Sequence, residues 1–203
     1  MKFGIIKERK NPPDRRVVFT PEELVRLQSE HPEAEIKVES SDIRIFSDDQ
    51  YRNLGLNVTA EMSDCDVLFG VKEVPVDALI PNKKYFFFSH TIKKQPYNRK
   101  LLKAILDKNI ELYDHETIVD ATNHRLIGFG RYAGLVGAYN GFRGFGIKYD
   151  LFTLPKAETL SGKEDLIARL KRQTLPNIKI VLTGHGKVGM GAKEILDGIK
   201  IKQ

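Results

Sequence analysis

Short apolar runs alternate with segments of helical spacing along most of this chain. Phe3 to Ile6, Ile36 to Val38, Asp66 to Val71, Tyr85 to Ser89 and Ile110 to Tyr113 read as strands, each short and bounded by polar or turn-forming residues. Helices fill several of the gaps. Thr20-Pro21-Glu22-Glu23 is a helix start, with Thr20 as N-cap, Pro21 in the first turn and Glu23 closing a capping box; Leu24 and Leu27 continue it. Residues 98–108 place Leu101, Leu102, Ile105 and Leu106 at helical spacing, which predicts those four against a core and the lysines on the other face. Strands that alternate with helices imply a mainly parallel α/β sheet.

From Arg131 to about Tyr149 the pattern changes. Glycines 134, 137, 141 and 144 fall within one arc of roughly 80° on a helix, and Tyr132, Leu135, Tyr139 and Phe142 occupy the other faces. Such a helix is expected to be buried between neighbours, its glycine stripe admitting another backbone; the alternative is a glycine-rich loop, since each interior glycine costs about 1 kcal/mol. A polar helix over 161–172 follows. Pro176 then introduces Ile178-Lys179-Ile180-Val181-Leu182-Thr183, which reads as a buried strand.

Composition narrows the class. A chain of 203 residues with 41% apolar side chains can bury a substantial core. Its longest apolar runs, such as Tyr85 to Phe88, are too short to cross a bilayer, and the first residues lead straight into a strand pattern; a cytoplasmic protein with no membrane partner is expected. Cys65 is the only cysteine, which excludes an intrachain disulfide, a Cys-x-x-Cys pair and a thiolate zinc site; no metal is expected. The net charge of +6 is local, because Lys83 to Lys108 carries eight Lys/Arg against the single acid Asp107. That run reads as a solvated helix face rather than a nucleic-acid surface, since no exposed aromatics interleave with it.

Two constellations carry chemistry. Gly184-His185-Gly186-Lys187-Val188-Gly189 is a G-x-G-x-x-G between a strand pattern and a helix pattern. In a dinucleotide site Gly184 would permit the tight turn, Gly186 would admit a pyrophosphate against bare backbone, and Gly189 would let helix and strand pack. The competing reading is a plain β-α turn. NAD is the expected cofactor, and NADP is left open because the acidic residue that would hold a ribose hydroxyl is due about 20 positions further on, beyond Gln203.

The second constellation comes from topology. Lys72 follows the Asp66 to Val71 strand, His90 follows Tyr85 to Ser89, Glu116 lies just beyond Ile110 to Tyr113, and Arg15 and Arg16 lie in the loop after the first strand. If these strands are parallel neighbours, all four ends share one carboxyl edge. The set suits oxidation of an amine-bearing carbon. Arg16 would bind a carboxylate as a bidentate fork, and His90 and Lys72 would exchange protons. Singly, each has a plainer reading: Lys72 in a surface pair, His90 as a cap, Arg16 as a solvated loop charge.

The words Arg16-Val17-Val18-Phe19-Thr20-Pro21, Gly70-Val71-Lys72-Glu73-Val74-Pro75 and Phe88-Ser89-His90 resemble the amino-terminal region shared by alanine dehydrogenase, lysine-forming saccharopine dehydrogenase and the transhydrogenase α subunit. The resemblance runs nearly end to end. It implies that Arg16 binds substrate carboxylate and that Lys72 and His90 serve acid-base and orienting roles. Leu112-Tyr113-Asp114-His115-Glu116, His90-Thr91-Ile92-Lys93-Lys94-Gln95 and Phe129-Gly130-Arg131-Tyr132 look more like the saccharopine branch, which implies that Glu116 lies near the substrate. Arg131 departs from that branch, where an apolar or neutral residue stands.

The fold expected from pattern and resemblance together is α/β, with a parallel-sheet, Rossmann-like (flavodoxin-like) substrate domain over residues 1–130. An interdomain helix over 131–150 and the truncated beginning of an NAD-binding domain over 151–203 would follow. The implied function is hydride transfer between a nicotinamide cofactor and an amino acid or secondary amine, with alanine oxidation or a non-catalytic module as the alternatives. The expected partner is a small amino acid or 2-oxo acid, with homo-oligomerisation left open.

Overall fold

A computed structural model describes residues 1–200, which divide into two compact units, residues 1–128 and residues from Phe129 onward. The first unit is one six-stranded sheet of β1 (Lys2–Ile5), β2 (Glu35–Glu39), β3 (Asn57–Thr59), β4 (Val67–Phe69), β5 (Lys84–Phe87) and β6 (Glu111–Asp114). Every pairing is parallel, in the order β3-β2-β1-β4-β5-β6. This is the Rossmann order, and without the outer strand β3 the remaining five strands run in the flavodoxin-like order. The order reverses between β1 and β4, so a crevice opens at their carboxyl ends.

Helices α1 (Pro21–Glu30), α2 (Asp48–Arg52) and α3 (Arg99–Asp107) cover the sheet. The expected capping box opens α1: Thr20 accepts from the Glu23 amide while the Glu23 carboxylate accepts from the Thr20 amide. Leu24 packs with Ile5, Ile36, Val38 and Tyr51 on one sheet face. On the other face Leu68, Tyr85 and Phe87 meet Leu101 and Ile105 of α3. Phe87 is fully buried, a burial worth about 1.5–3 kcal/mol.

The inward face of α3 differs from expectation. Leu101, Ala104 and Ile105 are buried, whereas Leu102 and Leu106 are exposed, Leu106 to 72%. At about 100° per residue Leu101 and Ile105 lie 40° apart, while Leu102 and Leu106 are turned a further 100° from them, beyond the stripe that one sheet face can cover.

The second unit holds α4 (Gly130–Lys148), α5 (Lys163–Lys171) and α6 (Lys187–Gly198) around Leu135, Tyr139, Phe142, Leu166, Leu170 and Ile195. The glycine stripe of α4 is not used as a whole. A Cβ at Gly134 would lie 2.0 Å from the Val188 carbonyl oxygen, and one at Gly191 would lie 2.0 Å from the Arg131 carbonyl, so α4 and α6 cross backbone to backbone there. Gly137, Gly141 and Gly144 face open space. The strand expected over 178–183 is not formed, and Val181 is 86% exposed. A strand exists only by pairing, and among the described residues the second unit offers no second strand.

Candidate functional site at the carboxyl edge of the sheet

Glu8 lies just beyond the end of β1, at the point where strand order reverses. Its buried carboxylate reaches across to the turn after β4 and accepts from the amides of Val71 (2.7 Å) and Lys72 (2.8 Å). Burial pushes this carboxyl up, and the two amide donors offset only part of the effect. Glu8 thereby fixes the backbone from which Lys72 projects. Only a narrow crease, with no room for a water molecule, lies here, lined by Glu8, Arg9, Lys72 and Glu73 among others.

Arg16 arrives from the loop after β1. Its guanidinium forks onto Asp14, with Nε donating to Oδ1 at 2.9 Å and Nη2 to Oδ2. Hydrogen bonding from Arg16 holds Asp14 below the usual carboxylate range against the opposing effect of burial, and the charge of Lys72 adds to the lowering. A carboxylate arriving at Arg16 must therefore compete with Asp14.

His90 and Glu116 stand at the ends of β5 and β6. His90 Nδ1 is 2.9 Å from Glu116 Oε2, and Lys93 Nζ is 3.2 Å from the other carboxylate oxygen. Burial pushes Glu116 up, but its bonds to His90 and Lys93 outweigh that and hold it below its ordinary value. It is thus a carboxylate at neutral pH and can only accept, which makes Nδ1 the protonated nitrogen of the neutral ring. Lys93 Nζ is also 3.2 Å from Nδ1, but an N–H directed at Glu116 leaves that nitrogen no lone pair in the ring plane to receive it.

In that neutral ring the second nitrogen, Nε2, carries the lone pair. It faces Glu73 Oε1 at 3.7 Å, and that buried oxygen has no hydrogen-bond partner, while Glu73 Oε2 accepts from Lys10 at 2.7 Å. With the ring neutral, no hydrogen bond joins Nε2 to Glu73 Oε1. A proton delivered to Nε2 would complete that bond while Glu116 holds the opposite side of the ring.

Backbone geometry fixes this ring. His90 is left-handed at φ 58°, a conformation that costs a non-glycine residue about 1–3 kcal/mol, and buried Asn98 holds it by donating to its carbonyl at 2.9 Å. His115, next to Glu116, is buried. Burial lowers its pKa, so the neutral ring donates from Nε2 to the Gly70 carbonyl at 3.1 Å.

Arg16, Lys72, His90 and Glu116 thus occupy one edge of the first unit. Glu8, Asp14, Glu73 and Lys93 join them there, beyond the residues expected from the sequence. Glu8 and Asp14 follow the same strand as Arg16 and Glu73 adjoins Lys72, so the topology argument that found the others extends to them. A larger apolar cavity between α1 and the sheet lies away from these groups, among Phe3, Phe19, Leu24, Leu27 and Phe69.

The glycine word lies in the second unit. Gly184 is left-handed at φ 89°, and a Cβ at Gly189 would lie 2.3 Å from the Gly184 carbonyl oxygen, so both positions require glycine. Gly186 meets nothing within 4 Å, and α6 opens directly after it with no acid in its first turn. The turn therefore has a bare backbone face at a helix N-terminus, which fits a phosphate group. Arg131 pairs bidentately with Glu194 of α6 at 2.6 and 2.7 Å, holding that carboxyl down at about 2.

Residues 4–136 match the family model described as alanine dehydrogenase/PNT, N-terminal domain. Among relatives, α-aminoadipic semialdehyde synthase of Arabidopsis thaliana is 31% identical over 95% of this chain and 20% of its own length. The lysine-forming, NAD(+) saccharopine dehydrogenase of Yarrowia lipolytica is 27% identical over 83% of this chain and 50% of its own. An L-alanine dehydrogenase structure superposes with a TM-score of 0.68 at 19% identity, covering 98% of this chain and 52% of that one. A transhydrogenase from Sinorhizobium meliloti gives 0.67 at 17% identity, covering 98% and 56%. The chain thus spans between a fifth and about half the length of these relatives. With the family model spanning most of it, the chain belongs to the alanine dehydrogenase/PNT N-terminal domain family.

Proposed function

We propose that this chain is the substrate-side part of a nicotinamide-dependent amino-acid dehydrogenase whose substrate is a secondary amine of the saccharopine type. The observation that carries the reading is the His90 ring, held through Nδ1 by Glu116 and presenting Nε2 at the same edge as Lys72 and Arg16. The relatives favour the secondary amine, because the fungal matches are NAD-dependent, lysine-forming saccharopine dehydrogenases.

A bound nicotinamide would accept hydride from the amine-bearing carbon, and the turn of Gly184, Gly186 and Gly189 is the part of this chain suited to hold its pyrophosphate. NAD is favoured over NADP by the names of those same relatives. The chain's own residues then serve hydrolysis of the resulting imine. Water adds to the imine carbon and gives a proton to His90 Nε2. The Lys72 ammonium protonates the amine nitrogen of the resulting carbinolamine, and as the C–N bond breaks the carbinol O–H proton passes back to the Lys72 amine, so that an amine and a 2-oxo acid leave. Arg16 orients a substrate carboxylate by exchanging Asp14 for it.

The test is turnover by protein carrying this chain. NADH oxidation is expected with lysine plus 2-oxoglutarate and not with pyruvate plus ammonia; the reverse preference would replace the substrate assignment with alanine. Lys72→Met should reduce kcat by about 10²-fold or more, the usual contribution of a positioned acid-base group. Arg16→Ala should raise KM about tenfold or more, as expected for loss of a charge-assisted contact. Unchanged constants in both variants would remove this edge from the chemistry.

A further inference from the structure

We propose that Asp114, the last residue of β6, is a positioning residue that sets both members of the His90–Glu116 pair. Asp114 is 6% exposed and its two oxygens serve two different turns. Oδ1 accepts from the amide of Glu116 at 2.9 Å. Oδ2 accepts from the hydroxyl of Ser89, a fully buried side chain.

The direction of these bonds follows from the proton count. A serine hydroxyl has one hydrogen, and a carboxylate has none to give, so Ser89 directs its proton at Asp114 Oδ2. Ser89 Oγ is then the acceptor in its remaining contacts, with the Thr91 amide at 3.1 Å and the Thr91 hydroxyl at 2.8 Å. Residues 89 and 91 flank His90, so this relay holds the left-handed turn at φ 58° from both sides. One carboxylate thereby fixes the backbone under the imidazole and the backbone under the carboxylate that accepts from it. Asparagine has one acceptor oxygen, so it keeps the Glu116 amide only by turning its NH₂ toward Ser89, which reverses that bond and changes the relay to Thr91.

The readout is the His90 ring itself, in the 203-residue chain labelled with ¹⁵N-histidine and held near pH 8, above the ordinary imidazole range. The His90 signals are assigned by their loss in His90→Gln. The intact chain should show a protonated Nδ1 and an unprotonated Nε2. In Asp114→Asn the population should move toward the Nε2–H tautomer, and exchange of the Nδ1 proton with solvent should quicken about tenfold, the effect of losing one hydrogen bond. Ser89→Ala, which deletes one link and no charge, should shift the ring the same way to a smaller degree.

A folded Asp114→Asn chain with His90 signals unchanged would overturn the proposal. Should Asp114→Asn not fold, an unchanged ring in Ser89→Ala would overturn it equally. A lower melting midpoint with an unaltered ring would assign Asp114 a purely structural role, which also refutes positioning. The catalytic consequence rests on the dehydrogenase reading, but the ring signature does not, so each can fail without the other.

Discussion

Gly134→Ala and Gly141→Ala make the same chemical change on the same helix and should have opposite effects. At Gly141 a Cβ meets nothing within 4 Å, so only the intrinsic helix preference acts, and alanine should stabilise by about 0.5–1 kcal/mol. At Gly134 the same Cβ would lie 2.0 Å from the Val188 carbonyl oxygen and 2.7 Å from the Ala192 nitrogen. Both are backbone atoms of α6 and cannot swing away. Restoring van der Waals separation, about 3.5 Å or more, requires the helices to part by roughly 1.5 Å, which opens the contact among Leu135, Tyr139 and Ile195. Overpacking of this kind costs about 1–3 kcal/mol, more than the helix preference returns. Urea unfolding followed by the helical signal measures both variants. Gly141→Ala should raise the midpoint and Gly134→Ala should lower it, with a net difference near 2 kcal/mol between them. Equal midpoints, or a Gly134→Ala variant more stable than the parent, would refute the backbone-to-backbone crossing.

Two further predictions concern the sheet edge. Glu8→Gln replaces two acceptor oxygens with one, leaving a buried amide of Val71 or Lys72 against an NH₂ group, so stability at neutral pH should fall by about 1–3 kcal/mol; a variant as stable as the parent would show that the amides find other partners. Glu116 has a folded pKa below its unfolded one, so its contribution is present above the unfolded value of about 4.3 and disappears as pH falls through the lower folded value. Glu116→Gln should therefore flatten the acid limb of stability below about pH 4.3, measured by denaturant titration across pH; an unchanged limb would show that His90 and Lys93 do not hold this carboxylate in solution.

Much of the fold was legible because its signals are local. The α1 capping box and the five core strands each announce themselves within a few residues. Ser47-Asp48-Asp49-Gln50 is an equally local signal, a capping box that opens α2, outside the helices expected from the sequence. Asn57-Val58-Thr59 gave no such signal: an outer strand of three residues has no apolar alternation to display, and its identity comes from pairing with β2. The residues 178–183 fail in the opposite way, with a strand's composition and no partner in the second unit among the described residues.

The site divides along the same line. Lys72, His90 and Glu116 were legible because each follows a strand and parallel order brings strand ends together. What each group does was not, because that depends on what it meets. Glu8 and Glu116 are the same residue type at the same edge. Glu8 meets two neutral amides in a buried position and is pushed up; Glu116 meets His90 and the Lys93 ammonium and is pulled down. The pH-dependent part of the stability that Glu8 contributes is greatest below its unfolded pKa and is lost as pH rises through the higher folded value, the reverse of Glu116. Asp114 is more distant still from any sequence signal, since a polar residue at a strand end is unremarkable until its two oxygens are seen to reach Ser89 in one turn and Glu116 in another. Residue type and strand order determine which groups can meet at such an edge, and the partners in neighbouring turns determine which of them holds a proton.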